Sequence, residues 1–342
     1  MELTEIKYLG IDIGGAHLKY IGINKKKEIK LINYIPYKIW LSSNQLEKNL
    51  KNLSKKIKSN ETICGITMSA ELCDIFPDRE NGVKELIRLC RILEFNKLYY
   101  TYKKSIFSED PKASEIMSMN WHSIGRLCEK RIKDSIIVDF GSTTTDFICI
   151  KNFKFINKYF TDFSRLNNHE LLYTGVSRTP IFSLLKNIII NKKNYNLIPE
   201  YFSDMSDVYR IIKMLNRNID LDDTRDGRGK SQIASKIRVC RNFGFDYDKS
   251  KNNIVEKICK KLCDSQLTEI KNNLNTLKLK YELPNNTKIV LSGIGQNILH
   301  EFLTKKNIKV LKLHEILKIK NKNNATNHAP ALSIALLLSE VT

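Results

Sequence analysis

At 342 residues, with 42% hydrophobic and 27% charged side chains, the chain has the composition of an ordinary globular protein of about two domains, which excludes whole-chain disorder and a fibrous repeat. Its longest apolar runs, such as Ala329–Leu338, fall short of the roughly 20 residues a membrane helix needs, and the N-terminus opens on Glu2 and Glu5 without the basic and apolar regions of a signal peptide. No membrane partner and a cytoplasmic location are expected. Lys and Arg outnumber Asp and Glu by 57 to 37, but the excess is lysine scattered beside abundant Asn and Ile; without an interleaved aromatic and basic platform, it predicts no specific nucleic-acid partner.

In chain order, Tyr8–Ile13 reads as a strand, Gly14-Gly15 as a turn, and Leu18–Ile23 and Glu28–Tyr34 as the rest of an antiparallel meander. A helix over Asn44–Lys58 follows, then a buried strand Thr62–Met68 that empties into Ser69–Asp74. Next come a helix from about Gly82 to Glu94, a strand Lys97–Tyr102 and one helix over Lys112–Lys130. At Ser135 the opening grammar returns: strand Ile136–Phe140, turn Gly141-Ser142-Thr143-Thr144, strand Asp146–Ile150. After a polar, partly helical middle, strand Lys288–Leu291 ends in Ser292-Gly293-Ile294-Gly295. A helix, a short strand Ile308–Leu311, a polar linker Ile316–Asn324 and a closing helix Ala329–Ser339 complete the chain. The eight cysteines form no CxxC pair and no zinc spacing, as expected of reduced, buried thiols.

The repeat is the main architectural signal. DIGGAHLK from Asp12 and DFGSTTTD from Asp139 each place a carboxylate at a strand end beside a turn of glycine or hydroxyl residues. Glycines let backbone N–H groups approach phosphate oxygens, and a carboxylate orients Mg²⁺ through its waters. Any one such turn could be a plain hairpin; two related turns plus the late Gly293/Gly295 turn point to a phosphorylated ligand held between two similar α/β halves.

On these residues the chain resembles the actin/sugar kinase/Hsp70 superfamily. TMSAELCDIF from Thr67, DFGSTTTDF from Asp139, ELLYTGVSRTP from Glu170, DTRDGRG from Asp223 and LSGIGQ from Leu291 further resemble its hydantoinase/oxoprolinase-like branch, and within that branch the condensing enzymes of methanofuran biosynthesis. The resemblance implies two facing ribonuclease-H-like halves with a central cleft: residues 1–112 plus 326–342 as the first, 113–133 as a connecting helix, and 134–325 as the second with a helical insertion. It also implies a transferase that joins an aminomethylfuranylmethyl diphosphate to γ-glutamyltyramine with loss of diphosphate. An ATP-dependent small-molecule kinase or hydantoinase-like ATPase, and a non-catalytic nucleotide sensor, carry the same turns and stay open.

The expected site follows. Asp12, Asp139 and Asp146 are candidate Mg²⁺-side carboxylates, and Asp139 is also a candidate catalytic residue. Gly14, Gly15, His17, Gly141, Ser142, Thr143, Thr144, Gly293 and Gly295 are candidate phosphate contacts, with Lys19, Arg178 and Arg228 to neutralise charge. A phenol of pKa about 10 needs help losing its proton, so Glu71 or Asp74 is the candidate general base, though either could instead cap the next helix.

Overall fold

The computed structural model describes residues 5–57, 61–103, 106–319 and 325–342. Its first sheet opens with a meander, β1 (Tyr8–Ile13), β2 (His17–Ile23) and β3 (Ile29–Pro36). After α1 (Asn44–Lys56) come β4 (Ile63–Met68), α2 (Arg79–Cys90), β5 (Asn96–Tyr100) and the short edge strand β6 (Phe107–Ser108), giving the order β3-β2-β1-β4-β5-β6. Helices α3 (Ala113–Ile116) and α4 (Asn120–Cys128) lead to the second sheet. That sheet begins with the hairpin β7 (Ser135–Phe140) and β8 (Thr145–Lys151), extended by β9 (Lys154–Phe155), α5 (Asp162–Asn167) and β10 (Leu171–Leu172). A separate hairpin, β11 (Asn187–Ile190) and β12 (Lys193–Asn196), and helices α6 (Met205–Ile211), α7 (Gln232–Arg241) and α8 (Asn252–Lys280) form the insertion. The chain closes with β13 (Lys288–Ser292), α9 (Gln296–Lys305), β14 (Val310–Lys312), α10 (Leu313–Leu317) and α11 (Ala329–Val341). The second sheet runs β10-β8-β7-β13-β14.

Strand periodicity decides which residues reach the cleft. In β1, Leu9, Ile11 and Ile13 pack outward against Leu46, Leu50, Val83 and Leu86 of α1 and α2, so Gly10 and Asp12 take the opposite face. In β7, Ile136, Val138 and Phe140 join Ile258 and Leu262 of α8, while Ile137 packs with Trp121 and Ile124 of α4 and Asp139 shares its face. Between the sheets α4 and α11 lie against each other, α11 on β1, β2 and β4 and α4 on β8. Helix α11 carries Pro330 in its first turn and is buried from Ala329 through Leu338, as its apolar composition on every side requires. It comes so close to β1 that a Cβ on Gly10 would collide with the Ala331 carbonyl.

The single helix expected over Lys112–Lys130 is two. The break falls at Ser118, which has a φ of 50°, and the Ser118 hydroxyl donates to Glu71 Oε1 at 2.6 Å. Ile316 and Leu317 of the expected polar linker belong to α10 and Lys318 and Ile319 follow it; 320–324, like Lys58 of the first helix, lie outside the described residues. All eight cysteines are free, seven of them buried. Among the described residues no helix is long and apolar enough to cross a membrane.

Candidate active site between the two halves

The two hairpins are built to one register. Asp12 pairs with Lys19 across β1 and β2, and Asp139 with Asp146 across β7 and β8. Gly14 N–H closes the first turn on His17 O at 3.0 Å, and Gly141 N–H closes the second on Thr144 O at 2.9 Å. Both turns, with Lys19, Asp139 and Asp146, line one cavity of about 350 Å³ at the strand ends. Gly14, Gly15, His17, Ser142, Thr143, Thr144 and Arg178 are among its walls. Arg178 is carried there by Gly175, where any Cβ would strike the Ser142 carbonyl; the Ser177 and Arg178 N–H groups both donate to Ser142 O, at 3.1 and 3.0 Å.

Charge in this cavity is closely balanced. Lys19 Nζ lies 3.1 Å from Asp12 Oδ2; burial pulls the ammonium down, but Asp12, with Asp139 and Asp146 behind it, raises it above the ordinary lysine value. Burial, then the neighbouring Asp146, pushes the Asp139 carboxyl up to about 7, against a 2.9 Å hydrogen bond from Ser292 and the pull of Lys19. Asp146 is likewise raised by burial, although Arg165 donates to it at 2.7 Å. Arg165 in turn lies 3.8 Å over the Trp121 ring.

Other expected site residues lie elsewhere. Glu71 is 1% exposed and accepts from Arg79 at 3.1 Å as well as from Ser118; Ser118 reaches the cavity wall and Glu71 does not. Asp74 and Arg228 are exposed, away from the cavity. Gly293, with a φ of 82°, and Gly295 pack under Phe140, where a side chain would meet the backbone or ring of that residue; they shape the end of β13 without lining the cavity. Sequence reading passed over Arg165, Trp121 and Asp222. Asp222 stands immediately before the DTRDGRG segment, and its Oδ1 lies 3.2 Å from His17 Nε2 of the other half.

No cluster of three His, Cys, Asp or Glu side chains at metal-holding range occurs among the described residues. Magnesium needs fewer, since it is usually held by one or two carboxylates together with waters and substrate phosphates. Asp12 Oδ1 is buried without a hydrogen-bond partner and Asp139 is short of positive charge, so this pair fits a hard cation that arrives with a phosphorylated ligand.

Residues 122–335 match the hydantoinase/oxoprolinase family model. The chain belongs to this family. It is 32% identical over 314 residues to the (4-{4-[2-(gamma-L-glutamylamino)ethyl]phenoxymethyl}furan-2-yl)methanamine synthase of Methanocaldococcus jannaschii, covering 90% of this chain and 92% of that one. It is also 32% identical to the synthase of the same name from Methanococcus vannielii, over 60% of this chain and 91% of the relative. Both relatives are enzymes. Nucleotide-free acetone carboxylase shares the fold with a TM-score of 0.59 at 8% identity, over 97% of this chain and 70% of that one. The expected α/β architecture of two facing ribonuclease-H-like halves, the actin-like ATPase fold, is therefore the fold of this hydantoinase/oxoprolinase family member.

Proposed function

We propose that the protein is a transferase that condenses an aminomethylfuranylmethyl diphosphate with the phenol of γ-glutamyltyramine, forming an aryl ether and releasing diphosphate. The observation that carries this reading is the 32% identity to the Methanocaldococcus jannaschii synthase along 90% of the chain. The cavity chemistry agrees with it. Backbone and hydroxyl donors of Gly15, Ser142, Thr143 and Thr144 suit the diphosphate oxygens, Gly14 and Gly141 close the turns that present them, and Lys19 and Arg178 supply positive charge. Arg178 stacks 4.5 Å over Trp40 of the first half, which aims it without neutralising it.

In this reading the furanylmethyl C–O bond breaks with its electron pair leaving on diphosphate, the phenol oxygen forms the new C–O bond, and the phenol proton is removed. The furan ring shares the positive charge that develops on its methylene carbon. Asp12 and Asp139 would hold Mg²⁺, which supplies neutralisation of the leaving diphosphate. Without a cation these carboxylates would repel the same diphosphate that the turns are shaped to hold. Asp146, engaged by Arg165, steadies the second hairpin.

The test is direct. The protein is incubated with both substrates and Mg²⁺ in the absence of ATP, and ether and diphosphate are sought by mass spectrometry; their formation is expected. Phosphorylated product or ADP formed only when ATP is supplied would replace this reading with the kinase or ATPase one.

A further inference from the structure

The condensation leaves one role unfilled, the removal of the phenol proton. Glu71 is sealed behind Ser118 and Arg79, and Asp74 faces solvent. Asp139 lines the cavity and Asp12 lies buried behind Lys19, and in the condensation reading both are given to the cation. Of the titratable side chains on the cavity wall outside these contacts, Asp162 accepts from the Tyr173 hydroxyl at 3.0 Å and burial pushes the Cys73 thiol up to about 11, which leaves one more. It is His17, whose ring stacks on Tyr34 with centroids 4.4 Å apart and whose Nε2 points at the Asp222 carboxylate.

Resting on the condensation reading above, we propose that His17 is the general base that accepts the phenol proton, and that Asp222, reaching across from the opposite half, is the residue that positions it. The geometry has the form of a base with an orienter. His17 Nε2 is 3.2 Å from Asp222 Oδ1, within ion-pair range though not in hydrogen-bonding geometry, as is common before substrate tightens a site. Asp222 is itself fixed. Its Oδ2 accepts from Ser177 at 2.5 Å, Asp220 two residues earlier is gripped by Arg210 through two contacts of 2.6 Å, and Asp223 one residue later meets Lys38 of the first half at 2.5 Å. A proton on Nε2, facing the carboxylate, leaves Nδ1 as the acceptor.

Protonation states agree with that role. Burial lowers His17 below the ordinary histidine value, and Lys19 and Arg178 push in the same direction, so the imidazole is neutral at pH 7 and able to take a proton despite Asp222. Asp222 is buried too, yet its bonds to His17 and Ser177 and the charge of Arg178 hold it well below the usual carboxylate range. The remaining ionisable neighbours are Tyr34, pushed far up by burial, and His328, pushed down to about 3 by burial, so both are neutral. As the ether bond forms, the proton passes from the phenol oxygen to Nδ1, the imidazolium is stabilised by the Asp222 carboxylate, and the proton is afterwards lost to solvent. Because one residue comes from each half, the base is complete only while the halves hold this relative placement.

The experiment uses the full chain with Mg²⁺ and both substrates. His17→Gln should lower kcat by roughly 10²–10⁴-fold while leaving calorimetric affinity for inorganic diphosphate nearly unchanged, and ring-fluorinated acceptors of lower phenol pKa should recover part of the rate. Asp222→Asn should also lower kcat and move the acid limb of the pH profile downward, because an imidazolium without its carboxylate loses its proton more easily; it carries the test if His17→Gln does not fold. An unchanged kcat, or diphosphate affinity falling in step with the rate, overturns the proposal, the latter outcome making His17 an anion contact. Absence of ether from the wild-type protein overturns the condensation reading itself, and the base with it.

Discussion

The β1–β2 and β7–β8 hairpins share register, turn closure and a terminal aspartate, yet the residue opposite that aspartate is Lys19 in the first and Asp146 in the second. The same backbone thus puts a cation on one wall of the cleft and a carboxylate on the other. Their partners differ accordingly: Lys19 answers Asp12 in its own hairpin, whereas Asp146 recruits Arg165 from α5. A duplicated frame sets where charge stands; the individual side chains set its sign. Asymmetry of that kind suits a ligand that is anionic at one end only.

The largest expected effect tests whether the two terminal aspartates act together. Asp12→Asn and Asp139→Asn should each weaken Mg²⁺-dependent diphosphate binding and lower turnover, by roughly 10²–10³-fold in rate, the weight of a preorganised charge partner in an enclosed site. Calorimetry with diphosphate plus and minus Mg²⁺, beside steady-state rates, provides the check. If only one substitution has this effect, the cation belongs to that hairpin alone.

Removing the odd cation should destabilise the fold. Lys19→Met leaves Asp12 buried without its partner, and breaking a buried pair in this way costs about 3–5 kcal/mol, measurable by urea denaturation. A loss below about 1 kcal/mol would mean that the Lys19–Asp12 contact behaves as a surface pair does.

The raised carboxyl of Asp139 makes a smaller, pH-dependent prediction. Its folded value of about 7 lies above that of an unfolded aspartate, so the folded state binds the proton more tightly. The stabilisation is complete below about pH 4 and is lost as pH rises towards 7. Asp146 moves in the same direction; Asp222, held low, contributes stability at higher pH that disappears on acidification. Asp139 alone therefore removes at most about 1.4 kcal/mol for each pH step of one between pH 4 and 7, while the buried histidines His17, His122 and His328, lowered when folded, act in the opposite direction; the wild-type stability minus that of Asp139→Asn should fall across this range. An unaltered slope in denaturation series would mean that Asp139 does not carry this proton.

Both hairpins were legible because two local signals coincide, strand periodicity and glycine at a tight turn, and because the pattern occurs twice. The lysine of the first hairpin and the second aspartate of the other could be placed opposite the terminal aspartates only once the register was known. The break at Ser118 was not legible: Ile116-Met117-Ser118-Met119 contains neither glycine nor proline, and the break is held by a bond to Glu71, 47 residues away. Asp222 and Arg165 were hidden for the same reason, since their roles come from contacts with residues distant in the chain. Gly293 and Gly295 show the converse. Their residue type predicts close approach, but the approaching group is Phe140 of the neighbouring strand.

The smallest effects compare the two sheets at one equivalent position, two residues before each terminal aspartate. In β1 this is Gly10, pressed against the backbone of α11; in β7 it is Ile137, packed among Trp121, Ile124 and Ile148. One sheet meets its inner helix backbone to backbone, the other through side chains. A methyl group added at Gly10 has no flexible neighbour to displace, because the obstructing atoms belong to the Ala331 carbonyl and the Ala335 nitrogen; Gly10→Ala should cost about 1–3 kcal/mol or more and lift α11 from the sheet. A methyl group removed at Ile137 leaves a small void that neighbours partly fill, so Ile137→Val should cost only about 0.5–1.5 kcal/mol. Urea denaturation of the two variants measures the difference. Should Ile137→Val prove the costlier, the tight constraint on the inner layer would lie at α4 and the second sheet, and α11 would have room to settle around an alanine.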